Sequence, residues 1–134
     1  MDSIFWSDLA RDLEDPEFLR EYITESVRIT TIDAIINALD EARVSAGLSK
    51  AEVARAIGVE PATIRRLFSS GNANPTLGTL AEVAAALGLR ISIQPLPATE
   101  REAVTEPLHT GRPSKSTRER VTQMRQARGK PKAA

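Results

Sequence analysis

The sequence predicts an all-α fold, and three observations support this prediction. The apolar residues between Ile4 and Leu96 recur at the three- and four-residue spacing of short amphipathic helices. Prolines and capping hydroxyls stand where these helices would begin, and glycines where they would end. Beyond Leu96 the apolar residues nearly vanish. We therefore expect acidic helices over 1–30, a helical domain with one short C-terminal β-strand over 31–96, and a basic disordered tail over 97–134.

The composition argues against an enzyme. The 134 residues include no cysteine and a single histidine, His109, which excludes a disulfide framework, thiol catalysis and a cysteine-ligated metal site. The expected ordered region holds no Ser/His/Asp set, and the chain has no glycine-rich phosphate loop. We expect no catalytic residue, no metal and no cofactor.

The sequence also lacks the marks of a membrane or exported protein. No apolar run approaches the roughly 20 residues that span a bilayer. The first residues include Asp2 and Asp8, where a signal peptide would be basic. We expect a cytoplasmic protein with no membrane partner.

A formal net charge of zero hides an uneven distribution of charge. Residues 1–106 hold 10 basic and 17 acidic side chains, whereas residues 107–134 hold 8 basic side chains and one acid, Glu119. The basic tail is either a nucleic-acid contact or a solvated segment. The 11 acids and three basic residues before Arg43 either form a docking face for a basic protein or a solvated surface.

Start and stop signals mark the first three expected helices. A weak helix is expected over about residues 3–13. The Asp-Pro-Glu run at 15–17 supplies the N-cap, the N1 proline and the first-turn acid of a second helix. Thr30 or Thr31 caps a third helix, which Gly47 ends.

Two short helices separated by a glycine follow. Ser49 and Glu52 form a capping box that opens a helix, and Gly58 ends it. Glu60 and Pro61 begin the next helix, because proline at N1 costs no hydrogen bond. This punctuation is the sequence form of a helix-turn-helix.

The offsets within this pair of helices are specific. Ala54 is small where the two helices approach, and Gly58 stands where a left-handed turn is needed. The apolar Val59, Ile64 and Leu67 fall where they would lock the helices together. An ordinary helical hairpin, the alternative interpretation, would not need alanine and glycine at these positions.

One strand is expected after the last helix of this domain. That helix begins after Asn74-Pro75-Thr76 and ends at Gly88. Residues 89–94 then alternate apolar and polar side chains up to Pro95. A single strand leaves its backbone groups unpaired, so we expect it to pair with a second copy or with a partner protein. The alternative is an extended segment over the helices. The side chains expected at a dimer seam are Leu89, Ile91 and Ile93.

Residues 48–59 together with 64–68 resemble the Cro/CI (Xre) family of DNA-binding domains, and the resemblance covers roughly residues 32–88. The outer segments 15–22, 71–77 and 85–90 look like antitoxins of the HigA type. Such proteins neutralise a small RelE-like ribonuclease toxin and repress their shared operon. The resemblance implies a bacterial, nucleoid-associated repressor that binds a double-stranded inverted-repeat operator as a homodimer.

The resemblance also implies which residues contact DNA. The helix beginning at Pro61 would enter the major groove, where Arg65 or Arg66 would read guanine and Thr63 would bond a base edge. Lys50 and the loop after Ser69 would hold phosphates. The implied contacts are Lys50, Pro61, Ala62, Thr63, Arg65, Arg66, Ser69, Ser70, Asn72 and Asn74. Glu60 and Pro61 depart from the family pattern, because Glu60 would repel phosphate and Pro61 lacks a donor.

The tail after Pro97 has too little apolar content to offset its ordering entropy, so we expect it to be disordered when free. Residues 116–127 would become helical on binding. Gly111-Arg112-Pro113 has the core of an AT-hook, which would lay Arg112 in a minor groove. Non-specific attraction to phosphate is the alternative.

Two functions compete with an antitoxin that represses its own operon. One is a stand-alone repressor, such as that of a prophage, with no toxin. The other is a protein-interaction module whose helix-turn-helix no longer reads DNA, which the departures at Glu60 and Pro61 favour.

Overall fold

The computed structural model describes residues 2–69 and 74–129, and within these ranges the chain is mostly helical. Among these residues, no helix has the length and apolar character needed to cross a membrane. The helices are α1 (Asp2–Asp12), α2 (Pro16–Ser45), α3 (Lys50–Ile57), α4 (Pro61–Ser69), α5 (Leu77–Ala86), α6 (Ala98–Glu100), α7 (Glu106–Thr110) and α8 (Lys115–Gly129), with a π-helical turn at Arg101–Thr105 between α6 and α7.

The second and third expected helices form one continuous helix, α2. The break predicted at Thr30 or Thr31 is absent, because no glycine or proline interrupts the chain between Pro16 and Gly47. Threonine is tolerated inside a helix when its hydroxyl bonds a carbonyl of the preceding turn. Thr24 illustrates this, since its Oγ1 donates to the Arg20 carbonyl oxygen at 2.9 Å.

The chain forms two compact units, which we call the terminal unit (Met1–Ser26 with Pro95–Ala134) and the central unit (Val27–Gln94). The central unit contains the rest of α2 together with α3, α4 and α5. Its core combines side chains from all four helices, as hydrophobic burial requires. The buried members are Ile36, Leu39, Val53, Ala54, Ile64, Leu67, Leu80, Val83 and Ala84.

The terminal unit joins the two ends of the chain around its own core. Leu13, which follows α1, and Leu19 and Ile23 of α2 pack with Val121 from α8. The tail was expected to be disordered, and the structure differs, because its described part forms helices up to Gly129. The composition of the tail alone does not include the apolar surface that the N-terminal segment supplies and that Val121 covers.

The strand expected over residues 89–94 is also not formed. These residues carry no regular secondary structure in the single chain. A strand requires a neighbouring strand for its backbone N–H and carbonyl groups, and the described residues of the chain include no strand to pair with it. Leu89 itself ends the α5 turn, where its N–H donates to the Ala84 carbonyl oxygen at 2.8 Å.

Candidate nucleic-acid interface

The capping box fixes the first residue of α3. The Ser49 hydroxyl accepts a hydrogen bond from the Glu52 N–H at 3.0 Å, and Glu52 Oε1 accepts one from the Ser49 N–H at 3.1 Å. The bond from the Ser49 backbone, then that from its hydroxyl, hold the pKa of Glu52 below its ordinary value, and the nearby positive charge of Arg55 acts in the same direction. This reciprocal pair satisfies two donors that the helix start would otherwise leave open.

The turn between α3 and α4 has the left-handed conformation that the sequence predicts. Gly58 has φ 73° and ψ 33°, a region that costs an L-residue strain. The Val59 N–H donates to the Ala54 carbonyl oxygen at 3.0 Å, which closes the turn. Ala54 is completely buried, so the helices approach as closely as its small side chain allows. The predicted helix-turn-helix is confirmed.

The inner face of α4 packs into the core of the central unit. Ile64 is completely buried and Leu67 is nearly so, and both belong to the core that includes Val53 and Val83. Interiors packed at crystal-like density hold side chains in fixed positions. The backbone of α4 is therefore held rigidly, and its outer residues project from a fixed platform.

Arg43 forms a clamp that the sequence analysis missed. Its Nε and Nη2 each lie 2.9 Å from Asp40 Oδ1, and its Nη1 donates to the Leu48 carbonyl oxygen at 2.9 Å. The guanidinium carbon also lies 5.8 Å from the centroid of the Phe68 ring, within cation–π range. Arg43 thus ties α2 to the turn before α3 and to the end of α4. The Asp40 and Arg43 spacing on α2 was the visible signal, but Phe68 lies 25 positions further on.

The outer face of α4 carries the predicted base-reading arginines. Arg65 and Arg66 are exposed, whereas Pro61, Ala62 and Thr63 are half-buried. The charged groups of both arginines are therefore accessible to a ligand.

The start of α4 is held by backbone bonding, since the Thr63 N–H donates to the Glu60 carbonyl oxygen at 2.9 Å. The Ser69 hydroxyl donates to the Arg65 carbonyl oxygen, so it caps the helix end.

Some of the predicted phosphate contacts fall among the described residues. Lys50 is half-buried at the first position of α3, and Asn74 is exposed before α5. Exposed Arg55 on α3 is a further cation of the central unit that the sequence analysis did not single out. Ser70 and Asn72 lie outside the described residues.

Arg112, the predicted minor-groove contact, belongs to the terminal unit. Its side chain is exposed, but Gly111 and Pro113 on either side are buried. A Cβ on Gly111 would lie 2.9 Å from Pro16 Cβ, so this segment packs closely against the start of α2. The Gly-Arg-Pro run is thus part of a folded unit rather than a free tripeptide.

The predicted dimer-seam residues lie at the end of the central unit. Leu89 and Ile91 are exposed, and Ile93 is 99% exposed. These three apolar side chains are therefore uncovered within the described chain.

Comparison with known proteins identifies the domain that contains this interface. Residues 39–94 match a family model described as helix-turn-helix (HTH_3), the Cro/CI type. The match includes α3, the Gly58 turn, α4 and α5. No curated protein and no solved structure matches the chain. The helix-turn-helix match indicates a DNA-binding transcriptional regulator.

Proposed function

We propose that this chain is a sequence-specific repressor that binds an inverted-repeat operator as a homodimer. The observation that carries the proposal is the division of α4 into two faces. Ile64 and Leu67 are buried and immobilise the helix, while Arg65 and Arg66 are exposed. A rigid helix with exposed arginines is the arrangement that reads base edges in a major groove.

The chemistry of the outer face favours guanine. An arginine guanidinium donates two parallel hydrogen bonds to guanine O6 and N7, and such a pair discriminates by about 1–3 kcal/mol. Thr63 would bond a neighbouring base or phosphate, and Lys50 and Asn74 would hold the backbone of the duplex. Binding is the whole activity in this proposal, without catalysis or a cofactor.

The exposed segment after α5 supports a dimer. Pairing residues 89–94 of two copies as antiparallel strands would satisfy their backbone groups and cover Leu89, Ile91 and Ile93. Two copies of α4 would then read half-sites about 10 base pairs apart, which is one helical turn of DNA.

A footprint on the DNA upstream of the gene tests the repressor proposal. The full chain should protect two half-sites about one turn apart, and Arg65→Ala with Arg66→Ala should abolish protection while circular dichroism stays unchanged. The matched control replaces two exposed arginines of the terminal unit, Arg11→Ala with Arg101→Ala, and should retain the footprint. Equal loss in both double variants, or no protection by the full chain, would reject base reading by α4 and favour a protein-interaction module.

We further propose that the repressor is the antitoxin of a toxin–antitoxin pair in the bacterial cytoplasm. The support is the resemblance of the outer segments to HigA-type antitoxins and the acidic surface of the terminal unit. In this unit Ile4, Phe5 and Tyr22 are exposed, and residues 2–26 contain eight acidic and two basic side chains, a composition suited to a basic ribonuclease.

Co-expression with the product of the adjacent gene tests the antitoxin role. A small basic protein that arrests growth alone and is neutralised by this chain would support it. Neutralisation should weaken when Phe5 and Tyr22 become serine, and persist in Leu77→Ser, an exposed apolar position of the central unit. An adjacent product that is harmless would favour a stand-alone repressor.

A further inference from the structure

Helix α8 is a basic helix that packs against acidic ones. It contains five basic residues and one acid, Glu119. Residues 2–26 of the same unit contain eight acidic and two basic residues. The basic side chains of α8 and the acidic side chains of α1 and α2 attract each other, and added salt weakens this attraction. The acidic helices thus present to α8 the same sign of charge that a nucleic acid would.

Among the described side chains, α8 packs into the core of the terminal unit through Val121. Val121 is the member of α8 in the core of the terminal unit, and it contacts the cluster of Leu13, Leu19 and Ile23. An open groove of about 230 Å³ lies beside it, lined by residues of α1 and α8 that include Ala10 and Thr117. Among the side chains that the structure describes, Val121 is the buried apolar anchor of α8 in this core.

The polar contacts across this interface are also solvent-exposed. Arg118 Nη2 lies 3.6 Å from Glu14 Oε2, and the two side chains are 53% and 61% exposed. Exposed ion pairs of this kind contribute little stability. Lys115 and Arg120 are exposed as well. These three cations of α8 thus remain accessible to a stronger polyanion.

We infer that α8 is a second DNA-binding element, which binds the phosphates of duplex DNA without sequence preference and which the acidic helices α1 and α2 occupy when DNA is absent. The inference rests on the proposed function in one respect, namely that DNA is the polyanion this protein meets. The DNA backbone competes with the acidic side chains for α8, and the buried Val121 favours the docked state. Apparent affinity for DNA is then lowered by the fraction of chains in which α8 is docked.

The test uses the full chain with Arg65→Ala and Arg66→Ala, so that α4 makes no specific contact, and a labelled duplex of random sequence. Val121→Asn removes the apolar anchor without changing the charge of α8. It should raise affinity for the duplex about tenfold, and hydrogen exchange should show unprotected α8 amides. Val44→Asn, the same change at an exposed valine of α2, should leave affinity unchanged. Equal or weaker binding by Val121→Asn would overturn the inference.

Charge variants test the same inference without touching the core. Glu14→Gln removes the partner of Arg118 and should raise affinity about twofold, more than Glu82→Gln, which makes the same charge change in the central unit. Replacing Lys115, Arg118 and Arg120 with alanine should lower affinity and reduce the slope of log affinity against log salt by about 2–3. An unchanged slope would show that α8 does not contact phosphate.

These experiments distinguish a failure of the repressor proposal from a failure of the α8 inference. Loss of the operator footprint with an intact effect of Val121→Asn on random duplex would reject the repressor and keep the α8 element. A footprint that requires Arg65 and Arg66, combined with no effect of Val121→Asn and an unchanged salt slope, would reject the α8 element and keep the repressor.

Discussion

The two units each carry a helix rich in arginine, but they hold it in different ways. In the central unit α4 is fixed by Ile64, which is completely buried, and by Leu67 within a core of nine buried side chains. In the terminal unit α8 contributes Val121 to a core of four buried side chains. Contacts to base edges specify a sequence, whereas contacts to phosphates carry no sequence information. The difference in packing therefore fits the proposal that α4 reads bases and α8 binds phosphates.

The largest effect in this comparison is expected at Ile64, on the buried face of α4. Ile64→Ala removes a completely buried side chain and should lower the free energy of unfolding by about 2–5 kcal/mol, because it leaves a cavity in a closely packed core. Urea denaturation followed by circular dichroism measures the change. Ile4→Ala, at a position 65% exposed in α1, is the matched control and should change stability by less than about 0.5 kcal/mol.

Operator binding by Ile64→Ala tests whether the fixed position of α4 is needed for contact with DNA. Ile64→Ala should weaken the footprint even at a temperature where the chain stays folded, because Arg65 and Arg66 would lose their fixed platform. If operator binding survived unchanged in the folded variant, rigidity of α4 would not be what distinguishes the two units.

The second comparison concerns two glycines with the same backbone conformation, one in each unit. Gly58 has φ +73° and Gly111 has φ +71°. A Cβ at Gly58 would meet nothing within 4 Å, whereas one at Gly111 would lie 2.9 Å from Pro16 Cβ and 3.0 Å from Arg20 Nη2. Gly58→Ala should therefore cost about 1–2 kcal/mol from backbone strain alone. Gly111→Ala should cost about 1–3 kcal/mol more, because it also overpacks its contact with α2.

Denaturation read by two probes distinguishes these effects. The single tryptophan, Trp6, lies in α1 and reports on the terminal unit, while circular dichroism reports on all helices. Gly78→Ala serves as the control, since its φ is not in the left-handed region and its nearest contact would be 3.8 Å. If Gly58→Ala and Gly111→Ala cost the same, the close approach of the Gly111 segment to α2 would not contribute to stability.

The central unit could be predicted from the sequence because its signals are local. Gly58 and Ala54 lie within one short stretch, and each has a conformational or packing role that few other residues can fill. The terminal unit depends on contacts between residues distant in the chain, as Val121 and Leu13 lie 108 positions apart. Hydrophobic spacing within either segment does not reveal such a partner, and the low apolar content of the tail by itself predicts disorder.

Within the candidate site, too, only the residues with local sequence signals could be predicted. Arg65 and Arg66 could be selected because they follow the predicted turn on the predicted helix. The clamp made by Arg43 could not, because its contact with Phe68 depends on how two helices pack. The exposure of Ile93 likewise appears only once the neighbouring helices are folded.

The smallest expected effect concerns the start of α3, where acid should weaken the capping box. The bonds from Ser49 lower the pKa of Glu52 in the folded chain below its ordinary value of 4.5. A carboxyl group with a lowered folded pKa stabilises the fold at pH values above its unfolded pKa, and this contribution is lost as the pH falls through the folded pKa. The difference in unfolding free energy between the native chain and Glu52→Gln should therefore shrink below about pH 4.5.

Ser49→Ala isolates the contribution of the hydroxyl. It should cost about 1 kcal/mol near neutral pH, as the loss of an N-cap does, and in this background Glu52→Gln should show a smaller dependence on pH. Urea denaturation between about pH 3 and pH 7 measures both differences. A difference between the native chain and Glu52→Gln that stays constant as the pH falls would mean that the Glu52 carboxylate does not stabilise α3. The start of α3 would then depend on the Ser49 hydroxyl and on the buried Val53 and Ala54.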